Sequence, residues 1–96
     1  MSGVNLKITQ MAKRREANII GRNIARFRFQ QGWTQNMLAA RMQLLGCYMT
    51  REIIANVETC RSAVTDKRIA FFAVAFGVSV NDLFPTRLVP YWPVDQ

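Results

Sequence analysis

Arg51, Glu52, Ala55, Asn56 and Thr59 fall on one face of a helix expected over 51–59. At about 100° per residue, Ile54 and Val57 share the opposite face, with Ile53 at its edge. The outward residue types suit the edges of nucleic-acid bases. An arginine can donate twice to guanine, an asparagine can pair with adenine, and a glutamate can accept from the amino group of cytosine. A small residue such as Ala55 lets the helix backbone come close. A polar face is also what any surface helix offers to water, so these residue types alone leave both readings open.

Two helices with a break at Gly46 must position that face, and both start in the same way. Thr34 can cap the first by accepting from N–H groups of its opening turn. Trp33 ahead of the cap and Leu38 at the fourth helical position can form a hydrophobic staple. Thr50, Met49 and Ile54 repeat the arrangement at the second helix, so a rigid pair is expected.

Thr34-Gln35-x-x-Leu38-Ala39 followed by Thr50-x-x-x-Ile54-x-x-Val57-Glu58 resembles the helix-turn-helix of the phage-repressor family (Cro/repressor or XRE type). Phe76-Gly77-Val78-Ser79-Val80-Asn81-Asp82 with the Leu-Phe-Pro that follows is similar to that family's closing helix. The resemblance covers about 20–84. It implies an all-α, five-helix, lambda-repressor-like DNA-binding domain in which helices 2 and 3 form the helix-turn-helix and helix 3 enters the major groove. The stretch between Ala39 and Thr50 is longer than in compact members by about one turn, where a bare motif uses about 3–4 residues. The extra residues are assigned to a longer second helix ending near Leu45.

The resemblance also implies roles. A glutamine matching Gln35 contacts the DNA backbone and braces the reading helix, at a helix N-terminus that itself favours phosphate. Arg61 and Ser62 hold phosphates on the far side, in a loop over 59–64. An arginine matching Arg28 pairs with a glutamate matching Glu58, tying helix 1 to the end of helix 3. Thr50, Arg51, Glu52, Ala55, Asn56 and Thr59 complete the expected DNA-facing set, with base contacts assigned to Arg51, Glu52 and Asn56.

The chain has 96 residues, half of them apolar, and a formal charge of +7. One domain with a small core is expected. The charge is one-sided. Residues 1–32 hold Lys7, Lys13, Arg14, Arg15, Arg22, Arg26 and Arg28 against Glu16 alone, whereas 65–96 balance three cations with three acids. A basic N-terminal third suits a polyanionic partner. Histidine is absent, and the two cysteines, Cys47 and Cys60, form no Cys-x-x-Cys pair. No zinc site, other metal, cofactor or catalytic constellation is therefore expected, and an enzyme is not. Two lone cysteines without a leader suit a reducing cytoplasm, and the resemblance to DNA-binding proteins implies a nucleoid-associated location there. Cys60 is expected to be half-buried. No apolar run approaches the roughly 20 residues of a membrane span.

Residues 1–17 read as a basic arm or a helix extension, 18–84 as the DNA-binding domain, and 85–96 as a Pro/aromatic tail. Five helices are expected at 18–31, 35–45, 51–59, 66–76 and 80–84. Ile20, Ile24 and Phe27 carry the first, which Gly32 ends. Thr65 caps the fourth, with Ile69, Phe72, Ala73 and Phe76 as its buried stripe and Gly77 as its stop. Ser79 caps the fifth, with Asp82 as its capping-box partner. A single short helix reads few base pairs, so a two-fold dimer placing two copies about 34–36 Å apart is expected. Helix 5 with Leu88, Tyr91 and Trp92 is its expected interface. The competing function is a protein-binding adaptor, such as an antitoxin, that uses the same domain as an interaction surface.

Overall fold

The computed structural model describes residues 16–86. Five helices follow one another: α1 Gly21–Gln31, α2 Gln35–Leu44, α3 Arg51–Glu58, α4 Asp66–Phe76 and α5 Val80–Leu83. No strand occurs among the described residues, so the class is all-α. No described helix is long and apolar enough to cross a membrane. The basic run Lys13-Arg14-Arg15 and the tail residues Leu88, Tyr91 and Trp92 lie outside the described residues.

Side-chain caps set four of the five starts. The Thr34, Thr50 and Thr65 hydroxyls accept from the amides of Met37, Ile53 and Arg68 at 3.1, 3.1 and 3.2 Å. Ser79 and Asp82 close a reciprocal capping box at 3.3 and 3.0 Å. Each of these bonds satisfies an N–H that the helix itself leaves unpaired. Gly32 and Gly77 end α1 and α4 with φ near +70°, a conformation that costs glycine little.

The first helix begins at Gly21, three residues later than the apolar spacing predicts. Asn18 is the reason. Its Oδ1 accepts from the amides of Ile20 and Gly21 at 3.0 and 2.7 Å, so the residue stands before the helix and serves its first turn. Ile20 keeps its place in the core from outside the helix. The other boundaries agree with the expected ones to within a residue.

The core is built from one stripe of each helix. Ile24, Leu38, Met42, Ile54, Val57, Phe72 and Leu83 are fully buried, joined by Met49 from the link between α2 and α3. Phe76 collects three rings, with Trp33, Phe27 and Phe72 centred 5.8, 5.5 and 6.4 Å away. Arg41 lies 4.1 Å over the outer side of Trp33, a cation–π contact that shields the ring from water. α3 packs against both α1 and α2, and α4 supports α2 from below. The helix with the polar front is thus backed by two others.

Candidate nucleic-acid interface

The front of α3 is exposed where base-reading residues were expected. Arg51, Glu52 and Asn56 face solvent, and Ala55 between them is partly covered. Directly behind, Ile54 and Val57 have no exposure at all. Glu52 also sits in the first turn, where a carboxylate complements the positive end of the helix dipole. That local benefit gives Glu52 a reason to be there whether or not it meets a base.

The other expected contacts divide. Arg61 is exposed on the loop after α3, and Ser62 beside it is partly buried. Thr59 is exposed, but its hydroxyl donates back to the Ala55 carbonyl at 2.8 Å, which leaves it only its acceptor capacity outward. Thr50 uses its side-chain oxygen to accept from the Ile53 amide. Gln35 donates one N–H to Glu58 Oε1 at 3.0 Å, leaving the second hydrogen of the carboxamide for another acceptor.

A buried cluster fixes the C-terminal end of this front. Arg28 Nε and Nη2 donate to Glu58 Oε2 and Oε1 at 2.6 and 3.0 Å. Arg28 Nη1 donates to the Trp33 carbonyl at 2.8 Å. The two charged side chains are 9% and 6% exposed, so neither is left to water. Bidentate pairing to the carboxylate, with a third guanidinium N–H on a backbone carbonyl, is the kind of geometry in which a buried pair is tolerated. It joins α1, the α1–α2 turn, α2 (through Gln35) and α3 at one carboxylate.

Asn18 performs a similar service nearby, and the residue pattern did not single it out. While its oxygen serves α1, its Nδ2 donates to the carbonyls of Val57 and Ser62 at 3.1 and 2.8 Å. One side chain therefore ties the start of α1 to both the end of α3 and the loop carrying Arg61. An asparagine just ahead of an apolar helical run is a capping signal, so its local half was available in the sequence. The Ala17 amide adds a bond to the Cys60 carbonyl at 2.9 Å.

Cys60 is buried, with 4% of its surface exposed, and not half-buried. Gly21 explains the depth. A β-carbon on Gly21 would lie 2.1 Å from the Val57 carbonyl oxygen and 2.9 Å from Cys60 Sγ, so only glycine allows α1 to close on this turn. Cys60 itself adopts φ +62°, a left-handed conformation rare outside glycine, which lets the chain reverse directly under α1. Burial pushes its thiol pKa up, and the Glu16 carboxylate adds to this. Arg22 and the amides of Gly21 and Arg22 pull the other way. The thiolate, the reactive form, is therefore suppressed. Cys47 is also a buried free thiol. Among the described residues, no group of three His, Cys, Asp or Glu side chains could hold a metal ion.

The bond that spans the link between α2 and α3 is the other feature missed in the sequence. Gly46 turns the link with φ +92°, and the Gln43 carboxamide donates to the Met49 carbonyl across it. No local pattern signals such a bond between residues six apart on either side of a glycine.

Comparison with family models, with curated proteins and with solved structures returns no match for this chain.

Proposed function

We propose that the protein is a sequence-specific double-stranded DNA-binding transcriptional regulator of phage-repressor (Cro/repressor, XRE) type. In this reading α2 and α3 are the helix-turn-helix, and α3 lies in the major groove with Arg51, Glu52 and Asn56 on base edges. Gln35, Thr50, Thr59, Arg61 and Ser62 lie toward the backbone. The observation that carries it is the contrast across α3. Arg51 and Asn56 stand free on its front, while its back is fully buried and its end is held by the Arg28–Glu58 pair. A reading helix needs both, because base contacts tolerate errors of only a few tenths of an ångström. The excess of cations in the N-terminal third supplies the sequence-independent attraction. The working species is a homodimer acting in the cytoplasm at the nucleoid, with α5 and the tail as its interface.

Gel-shift titration at several salt concentrations, followed by selection from random duplexes, tests this. Binding should weaken steeply with salt, and Arg61→Ala should flatten the slope by about one unit on every sequence. Asn56→Ala should cost about 1–3 kcal/mol on the best site and relax one base pair, leaving non-specific binding intact. A selected motif unchanged base for base in Asn56→Ala removes that residue from the interface.

One observation favours the second reading, a protein-binding adaptor such as an antitoxin. Leu44 and Tyr48, at the α2–α3 link, are 86% and 69% exposed. Large apolar side chains so open to water are cheaper under a partner. An adaptor would show no salt-sensitive, competition-resistant complex with duplex DNA.

A further inference from the structure

The two ends of α3 are not held alike. At Glu58 the helix is fastened by side chains of α1 and α2, and Asn18 holds the neighbouring Val57 carbonyl. At Arg51 the chain arrives through a link turned by Gly46. Neither Tyr48 nor Met49 makes a main-chain hydrogen bond to the rest of the described fold. The polar connection there is the Gln43 carboxamide, reaching from the last turn of α2 to the Met49 carbonyl, one residue before the Thr50 cap. Met49 is itself fully buried, so its side chain sets depth and the Gln43 bond sets the direction of the peptide that enters α3.

We infer that Gln43 is a positioning residue for base readout. Its carboxamide sets where the N-terminal end of α3 stands, and so which base edge Arg51 and Glu52 meet. This rests on the DNA-reading function proposed above. The physical step is a lever. Glu58 is the fixed end, Asn56 lies about half a turn from it, and Arg51 lies about two turns away. Loss of the Gln43 bond lets the far end shift by a fraction of an ångström to an ångström. A bidentate contact at Arg51 fails over that distance, because hydrogen-bond lengths span only about 2.7–3.2 Å. Asn56, close to the pivot, keeps its partner. The Cys47 amide, bonded to the Met42 carbonyl at 2.9 Å, ties the first half of the link to α2, and Gln43 adds the constraint nearest the start of α3.

Three variants of the full chain test this. Gln43→Met keeps the length and removes the donor. Gln43→Glu keeps the shape but sets a carboxylate against the Met49 carbonyl. Gln43→Arg restores an N–H donor. Each is put through selection from random duplexes and through amide hydrogen exchange. For Gln43→Met and Gln43→Glu, preference at the base pair assigned to Arg51 should fall about tenfold, the scale of one good base contact, while preference at the pair assigned to Asn56 stays. Gln43→Arg should recover much of it. In the first two variants the Ile53 amide, which donates to the Thr50 cap, should exchange about tenfold faster, with the Thr59 amide unchanged. A motif unchanged in all variants overturns the inference. So does a uniform loss at every base pair with both amides accelerated, since that marks a general loss of stability. A wild-type protein that selects no motif refutes the DNA reading instead. The exchange contrast then still decides whether Gln43 holds the start of α3.

Discussion

The last residue of α3 and the residue just before its Thr50 cap are each gripped by a side chain from α2, yet the grips differ in kind. At Glu58 a buried guanidinium meets a buried carboxylate in two bonds, and Gln35 adds a third. At Met49 an exposed carboxamide meets one carbonyl. The first is an all-or-none lock, because a charge left behind in the core is severely penalised. The second is a trim, worth about 1 kcal/mol net as an ordinary hydrogen bond. A helix with one locked and one trimmed end can be aimed by small changes at its free end without endangering the fold.

The largest effect should come from breaking the lock. Arg28→Met leaves Glu58 buried with Gln35 as its remaining partner, and should cost about 3–5 kcal/mol. Thermal unfolding reads this directly, at about 4–8 °C per kcal/mol for a domain of this size. A melting temperature within a few degrees of wild type would show that the C-terminal end of α3 is held by packing alone.

Gly21→Ala attacks the same end from the α1 side. The added methyl meets the Val57 carbonyl, which is backbone and cannot rotate away. α1 and α3 must separate, at a cost of about 1–3 kcal/mol typical of overpacking. Denaturant unfolding should give a lower midpoint with an unchanged slope. If the midpoint holds, the approach of α1 to the end of α3 is looser than the geometry states.

Thr50→Ala weakens the other end. It removes the cap from the Ile53 amide and should cost about 1 kcal/mol. The expected signature is local. Exchange should accelerate at Ile53 before any change is seen at Thr59, and the reverse order would mean that the N-terminal end is the firmer one.

The smallest effect concerns pH. Cys60 has its pKa raised in the fold, chiefly by burial, so the folded state binds its proton more tightly than the unfolded chain. Its contribution is fully present below the ordinary thiol pKa of about 8.5 and is lost as pH rises through the raised folded value. Wild type should lose stability faster than Cys60→Ala above about pH 9, with parallel curves at neutral pH. Parallel curves throughout would show that the thiol is not desolvated at the end of α3.

Much of the scaffold was legible because it is written locally. Thr34, Thr50, Thr65 and Ser79 each announce a helix start within three residues of the amide they serve. Gly32 and Gly77 mark the stops. The start of α1 was misplaced because apolar spacing continues through Ile20, which is buried from outside the helix. Spacing reports burial, and a buried residue just before a helix looks the same as one inside it. The polar front of α3 was likewise legible from its helical spacing, since a helix that buries Ile54 and Val57 must turn Arg51, Glu52 and Asn56 outward.

The sequence by itself therefore determined five helices, the caps of four of them and the side of α3 that faces out. Those properties depend on backbone geometry over one or two turns, and short-range periodicity encodes them. Beyond the Arg28–Glu58 pair that the resemblance implied, the tertiary structure alone decided how α3 is held. Asn18 reaches residues 39 and 44 positions away, Gln35 shares a carboxylate with Arg28, and Gly21 admits Cys60 beneath α1. Such contacts come into being only when the helices pack, because the partners of a polar group in the core are chosen by proximity in space and by the cost of leaving it unpaired.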